Sequence, residues 1–300
     1  MGEEIADEKY NINDMGLLFN NNYTDHYFWT GYRWLKPGQW YNRIQVNYNA
    51  YYSALYKKMD HQKINDHFQR FNTNVNANAQ LKNLWFIGVF MGYVPYGNDF
   101  YEPHEAGYSF RSTKRMQYSA WFETNSAKKY FVSFNYFVGV RKQFESRNHE
   151  FNFSQRYRFS DKFSLSHDLY YNPFTNDAGF YQKYYQKDAA GNDMRDASGN
   201  RILQDIIFSR RNRNTVENIV RAKYNFNYRS GITFRVRHYW SKVNQKQLYD
   251  LNNDGTLDPT KHTDVAIDHQ NFNIFNVDAV YTLQFAPGSF LNIVWKSESS

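Results

Sequence analysis

The chain has 300 residues, with 36 Lys and Arg against 29 Asp and Glu, a formal charge of +7, and no cysteine. Without cysteine there is no disulfide-stapled scaffold and no thiolate chemistry, whether metal, redox or nucleophilic. One residue in five is aromatic (27 Tyr, 26 Phe, 7 Trp), which excludes disorder and argues against a helical bundle built from Leu, Ala and Glu. No run approaches about 18 consecutive apolar residues, so no transmembrane helix is expected. The first ten residues, MGEEIADEKY, are acidic, so no signal peptide is expected there.

Apolar residues recur with a period of two almost throughout, the pattern of strands whose two faces differ. Strands are predicted near 12–20, 23–35, 40–56, 68–81, 84–94, 117–125, 129–141, 148–160, 163–172, 214–227, 231–245, 270–285 and 289–297. In the third, Ile44, Val46, Tyr48, Ala50 and Tyr52 alternate with Gln45, Asn47, Asn49, Tyr51 and Ser53. In the fourth, Phe71, Thr73, Val75, Ala77 and Ala79 alternate with Asn72, Asn74, Asn76 and Asn78. Soluble strands usually run about 5–6 residues and membrane-crossing ones about 9–11; these runs are mostly of the longer kind.

From the second strand onward, short and long connections alternate. Short turns fall at Lys36-Pro37-Gly38, Lys82-Asn83, Ser126-Ala127-Lys128, Asp161-Lys162, Tyr228-Arg229-Ser230 and Ala286-Pro287-Gly288. Longer links cover 57–67, 95–116, 142–147, 173–213 and 246–269, whereas Asn20-Asn21-Asn22 breaks the alternation. Tight turns on one side and long loops on the other predict an all-β fold, an antiparallel up-and-down transmembrane β-barrel of the outer-membrane type. It would be one domain over 1–300, of about 12–14 strands. The alternative is a soluble β-sandwich or a lipid-free barrel. One face of each strand is Val, Ile, Leu, Ala, Phe and Tyr, fit for lipid; the other is Asn, Ser, Gln, Thr and Arg, fit for a watery lumen. Trp40, Tyr41, Tyr56, Trp85, Tyr93, Tyr171 and Trp240 lie where interfacial aromatic girdles would sit.

Five segments carry a resemblance: NDMGLLFNNNY (13–23), RYRFSDKFSLSHDLYYN (156–172), DIIFSRRNRNTVEN (205–218), RHYWS (237–241) and FAPGS (285–289). They resemble the Bacteroidota family whose C-terminal region, a domain of unknown function, forms an outer-membrane barrel. Full-length members carry an N-terminal module resembling carbohydrate-binding family 9. The resemblance spans nearly the whole chain and implies a structural domain not defined by catalytic residues. Set against the family, the chain, which runs from MGEEIADEKY to the polar Lys296-Ser297-Glu298-Ser299-Ser300, is expected to be an internal or truncated piece without the leader and N-terminal module. A fragment with two unpaired edges is therefore expected; the thirteen predicted strands make an odd number where single-chain bacterial barrels have even counts, so one strand is missing or miscounted.

The strongest polar feature is an arginine set. Arg210, Arg211 and Arg213 precede the strand that carries Arg221, while Arg156, Arg158, Arg235 and Arg237 take polar-face positions nearby. Guanidinium forks bind carboxylate and phosphate bidentately, so these residues are candidate lumen-lining groups for anionic solutes. Equally, they can pair with Glu123, Glu150, Asp168, Glu217 and Asp278 as an internal brace. Asp250, Asn252, Asp254, Thr256 and Asp258 match the oxygen positions of a calcium loop with Gly255 at its turn, but Lys261 replaces the bidentate Glu. Calcium is the one candidate cation, set against the preferred reading of a polar loop that turns at Asp254-Gly255, and no other cofactor is expected. The segment 188–200 is rich in turn formers and is expected to cap a loop hairpin.

The nine histidines show no paired ligand spacing, and no nucleophile or phosphate-loop motif occurs. No catalytic constellation is found, and the chain is not expected to be an enzyme. The expected function is a porin-like transport or structural barrel in the cell outer membrane with a net basic lumen. Its partners would be outer-membrane lipid, lipopolysaccharide and an anionic or glycan-related solute; nucleic acid is not expected. The rival is a soluble all-β protein that binds extended glycans or other anionic polymers. The rival needs aromatics grouped beside the arginines, whereas the sequence places them mostly on the opposite face.

Overall fold

Strict alternation commits each residue to one side of a pleat, and that order governs the architecture. The structure is a computed structural model that describes residues 1–10 and 21–299. In chain order its strands are β1 (Gly2–Ala6), β2 (Tyr23–Trp34), β3 (Tyr41–Ala54), β4 (Phe68–Leu81), β5 (Phe86–Val94), β6 (Gly97–Asp99), β7 (Phe110–Ser112) and β8 (Arg115–Glu123). They continue as β9 (Tyr130–Arg141), β10 (Arg147–Arg158), β11 (Phe163–Tyr185), β12 (Leu203–Asn225), β13 (Ser230–Leu251), β14 (Leu257–Pro259), β15 (Gln270–Ala286) and β16 (Ser289–Ser299). A 3₁₀ turn, Gln143–Glu145, separates β9 from β10, and the described residues contain no α-helix.

All sixteen strands belong to one antiparallel sheet, in the order β1-β2-β3-β4-β5-β8-β9-β10-β11-β12-β13-β15-β16. Outside that path, β6 pairs with β4 and β7, and β14 folds back on β13. The all-β antiparallel expectation therefore holds, but the sheet is open. Among the described residues β16 pairs only with β15 and β1 only with β2, so the closed ladder of a barrel is not formed.

Three boundaries differ from expectation. The acidic start supplies β1, whose register runs from Gly2↔Tyr27 to Ala6↔Tyr23; so short and polar a strand has no apolar alternation to reveal it. The strand expected at 12–20 lies outside the described residues. The link expected at 173–213 narrows to 186–202, because β11 and β12 each run 23 residues. Similarly, β13 continues to Leu251 into the link expected from 246. Register shifts between Phe174 and Asp177, Phe180 and Gln182, and Tyr184 and Tyr185 explain the misreading. Each bulge inserts a residue, flips the phase of the alternation and hides the strand from a period-two reading.

The register sorts side chains onto two faces. One face carries Ala79↔Ile87, Val89↔Ala120, Phe134↔Phe153, Leu165↔Ala222 and Val236↔Val277. The other carries Asn47↔Asn76, Asn49↔Asn74, Ser154↔Asp168 and Arg221↔Arg235. Among the described residues no second layer covers the apolar face: Val89 is 57% exposed, Met91 51% and Phe234 42%. The two expected flanks are thus not pressed into a dry interior.

The compact apolar cluster lies elsewhere, in the arms that β11, β12 and β13 extend beyond their neighbours. Ile206, Phe208, Leu251 and Phe110 form it, with Phe180 and Leu203 against its rim. The Phe110 and Phe208 rings lie 4.9 Å apart. Ile206, Ile207 and Phe208 are buried in succession, which is the pattern of a strand covered on both faces. At the opposite end Pro287-Gly288 makes the last tight turn, with Gly288 at φ +76, a conformation that costs glycine little and other residues more.

Phe208→Ala should lower the unfolding free energy by about 3–5 kcal/mol through the lost burial and the cavity left behind. Val89→Ala on the exposed face should change it by less than about 0.5 kcal/mol. Urea unfolding of the chain compares the two, and equal effects would contradict the placement of the core.

Candidate functional site

The polar face starts, at β3 and β4, as an amide ladder. Asn47 donates its side-chain amide to Asn76 and Asn49 donates to Asn74, both at 2.8 Å. Amide donors and acceptors satisfy one another across the ladder while keeping that face hydrated. Further along, arginines replace the amides, and the expected arginine set divides into three tiers by bonding partner.

In the tier at the tight turns, Arg156 donates to the Ser126 carbonyl at 2.8 Å and Arg158 donates to those of Ala127 and Lys128. These two hold the end of the β8–β9 turn. In the middle tier, Arg221 pairs with Asp168 and Arg237 with Glu217, while Arg235 lies 3.8 Å from Asp278. Three acids expected as braces are thus in place. Glu150 instead accepts from the Asn148 amide at 2.8 Å, and Glu123 forms no ion pair among the described residues. In the long-link tier, Arg211 and Arg213 converge on Asp177 at 3.3 and 2.9 Å. Arg210 donates to Gln247 at 3.3 Å. The buried Asp177, 5% exposed, is a partner the sequence reading missed because the bulge after Phe174 sets its facing.

Aromatics are not confined to the apolar face. Arg213 lies over Phe174 at 4.9 Å, Arg237 over Tyr239 at 5.4 Å and Arg156 over Phe131 at 5.5 Å. The Trp121 indole covers Gly88 so closely that a Cβ there would meet it at 2.0 Å.

The long-link tier opens into a cavity of about 570 Å³ between β4, the β6–β7 hairpin, β8 and the arm of β12. Arg70, Arg115, Arg141, Arg211 and Arg213 line it together with Asp99, Glu102 and Asp177. Arg70, Arg115 and Arg141 were absent from the expected set because they sit at strand ends, and no local motif marks them. Only cross-strand register assembles them.

A family model described as Domain of unknown function (DUF5916) matches residues 1–300. The chain belongs to this family. No curated protein matches the DUF5916 chain.

The loop weighed as a calcium candidate turns at Asp254-Gly255 and bonds within itself. In the DUF5916 chain Asp250 spends its carboxylate on the Thr260 hydroxyl at 2.5 Å and the Lys261 amide at 3.0 Å. Asn252 donates to Thr256 and Asp258, and Asp254 accepts from the Thr256 amide and hydroxyl. Asp250, Asn252, Asp254, Thr256 and Asp258 thus close the β13–β14 hairpin on itself instead of converging on a cation. No His, Cys, Asp or Glu trio among the described residues is arranged to hold a metal.

The long links of the DUF5916 chain are themselves ordered by carboxylates. Asp188 Oδ1 accepts the amides of Ala190 and Asn192, and Asp196 Oδ1 those of Ser198 and Asn200, all at 2.9 Å. The two consecutive turns repeat one design, and these backbone donors hold both carboxyls below the usual carboxylate range. Lys187 bonds Asp264 at 2.7 Å and Tyr184 donates to it as well, tying the 186–202 link to the 252–269 link. The Lys187 ammonium, with the Tyr184 hydroxyl, lowers the Asp264 carboxyl.

Two outcomes follow. Asp177→Asn should cost about 1–3 kcal/mol, because two guanidinium groups lose their shared acceptor; Arg211→Gln in that background should restore part of the loss. Since Asp264 is depressed in the folded chain, its tie is complete above about pH 4 and is lost as pH falls through its lowered folded value. Amide protection in 262–266, corrected for intrinsic exchange, should drop over that acid range in the parent. It should already be low at neutral pH in Asp264→Asn.

Proposed function

We propose that this chain forms a porin-like outer-membrane β-barrel with a hydrated, net basic lumen, and that it transports or holds a solute without catalysing a reaction. The observation that carries this reading is the uncovered apolar face of strands mostly 9 to 23 residues long, opposed by a face of amides and paired charges. Water is a costly neighbour for so broad an apolar surface, and lipid is not. Six tight turns at one end and longer links at the other match the polarity of such barrels.

Closure is part of the proposal. Setting the short β1 aside, the path from β2 to β16 holds twelve strands. An even count runs the edges β2 and β16 antiparallel, as pairing requires. Exposure is continuous in those edges, from Tyr27 to Trp34 in β2 and from Phe290 through β16, as strands lacking a neighbour would show. The resemblance to Bacteroidota barrels downstream of a carbohydrate-binding family 9-like module supports a glycan-related solute. Outer-membrane lipid and lipopolysaccharide would be the surrounding partners.

A second reading, a soluble binder of extended glycans, draws support from the aromatics beside Arg156, Arg213 and Arg237 on the polar face.

Full-length protein exported with a signal sequence should be extracted from outer membranes only by detergent. Recovery in the aqueous fraction would defeat the barrel in favour of the soluble binder. In planar bilayers, Arg235→Glu should reduce anion preference, because it places a second carboxylate beside Asp278. Unchanged selectivity would remove the middle arginine tier from the conduction path.

A further inference from the structure

Arg115 opens β8 and Arg141 closes β9, and the register sets them directly opposite each other. Paired positions lie about 4.5–5.5 Å apart at Cα, and like charges there destabilise a sheet. Arg70 lines the same cavity; its guanidinium stacks 4.8 Å from the Tyr51 ring and donates to that hydroxyl at 3.3 Å.

Among the described residues none of the three arginines forms an ion pair. The carboxylates that share the cavity form no ion pair with these three arginines. Asp99 accepts the amides of Tyr101 and Glu102, Glu102 accepts that of Phe180, and Asp177 holds Arg211 and Arg213. Gln69, also on the cavity wall, carries a buried amide nitrogen with no partner. Three cations and an unspent donor thus surround a volume of about 570 Å³, within the usual size of a small-molecule site.

We propose that Arg70, Arg115 and Arg141 bind the phosphoryl group of a small organic phosphate, such as a phosphorylated sugar, at the long-link end of the polar face. A phosphate monoester brings about −1.5 to −2 charges and three acceptor oxygens, against one charge for a carboxylate. It therefore relieves more of the Arg115–Arg141 repulsion and engages more guanidinium N–H groups. The cavity leaves room for the rest of the molecule beside Tyr101. This site deepens the solute side of the function proposed above and is independent of what covers the apolar face.

Isothermal titration of the detergent-solubilised full chain tests it, with glucose 6-phosphate, inorganic phosphate, glucuronate and glucose as separate titrants. Glucose 6-phosphate should bind most tightly and glucose not at all. Arg115→Gln or Arg141→Gln should weaken it at least about tenfold, while Arg229→Gln at the far turn should not. Folding of the variants is checked by melting. Without phosphate, Arg115→Gln should melt at or above the parent temperature, since a like-charge contact is removed. With glucose 6-phosphate present, only the parent and Arg229→Gln should gain stability. Unchanged affinity in both cavity variants, equal binding of glucose, tighter binding of glucuronate or equal affinity for inorganic phosphate would each overturn the proposal. Membrane extraction is scored separately, so loss of this site leaves the barrel reading standing.

Discussion

Every residue of a strand must pair its backbone amide and carbonyl with a neighbour, and that demand organises this molecule. Antiparallel pairing satisfies it while forcing successive side chains to opposite sides. Once Asn47 faces Asn76 and Val46 faces Ala77, the whole ribbon is committed to one wet and one apolar side. The same demand is unmet at β16 and along much of β2, whose outer backbone groups have no strand beside them among the described residues. Both the proposed membrane setting and the proposed closure follow from those two facts.

Charge on the wet side is sorted by the partners each guanidinium finds. Near the tight turns, guanidinium groups bond carbonyls and act as caps. Farther from the turns Arg221, Arg235 and Arg237 each lie against a carboxylate of a neighbouring strand, even though Arg221 and Arg235 stand opposite each other. At the long-link end Arg70, Arg115 and Arg141 meet around one cavity without an ion pair to its acids among the described residues. A uniformly basic lumen would attract anions without holding them; one unbalanced end creates a place for them to stop.

Rigidity is concentrated at that same end. The β11, β12 and β13 arms would gain nothing from standing alone in water, so they bury Ile206, Phe208 and Leu251 against Phe110 of the β6–β7 hairpin. That cluster packs Phe110, a residue of the cavity wall, into a dry support. The Lys187–Asp264 tie and the twin Asp188 and Asp196 turns then order the links above it.

Strand identity, antiparallel order and the two-faced character were legible in the sequence because a period of two is a local property that survives in any window. Asp168, Glu217 and Asp278 were legible as braces for the same reason, each holding a polar-face phase in an unbroken run. Where a bulge reset that phase, as after Phe174, the arms and Asp177 were lost to a linear reading. In the 250–261 loop the spacing of oxygens was legible, but the N–H and O–H donors they bond, such as those of Thr256, Thr260 and Lys261, were not. What the sequence by itself determined is therefore which side of its own strand each residue occupies. Which residues stand opposite one another, as Arg115 and Arg141 do, was decided only by tertiary structure, because register depends on turns and bulges summed across strands far apart in the chain.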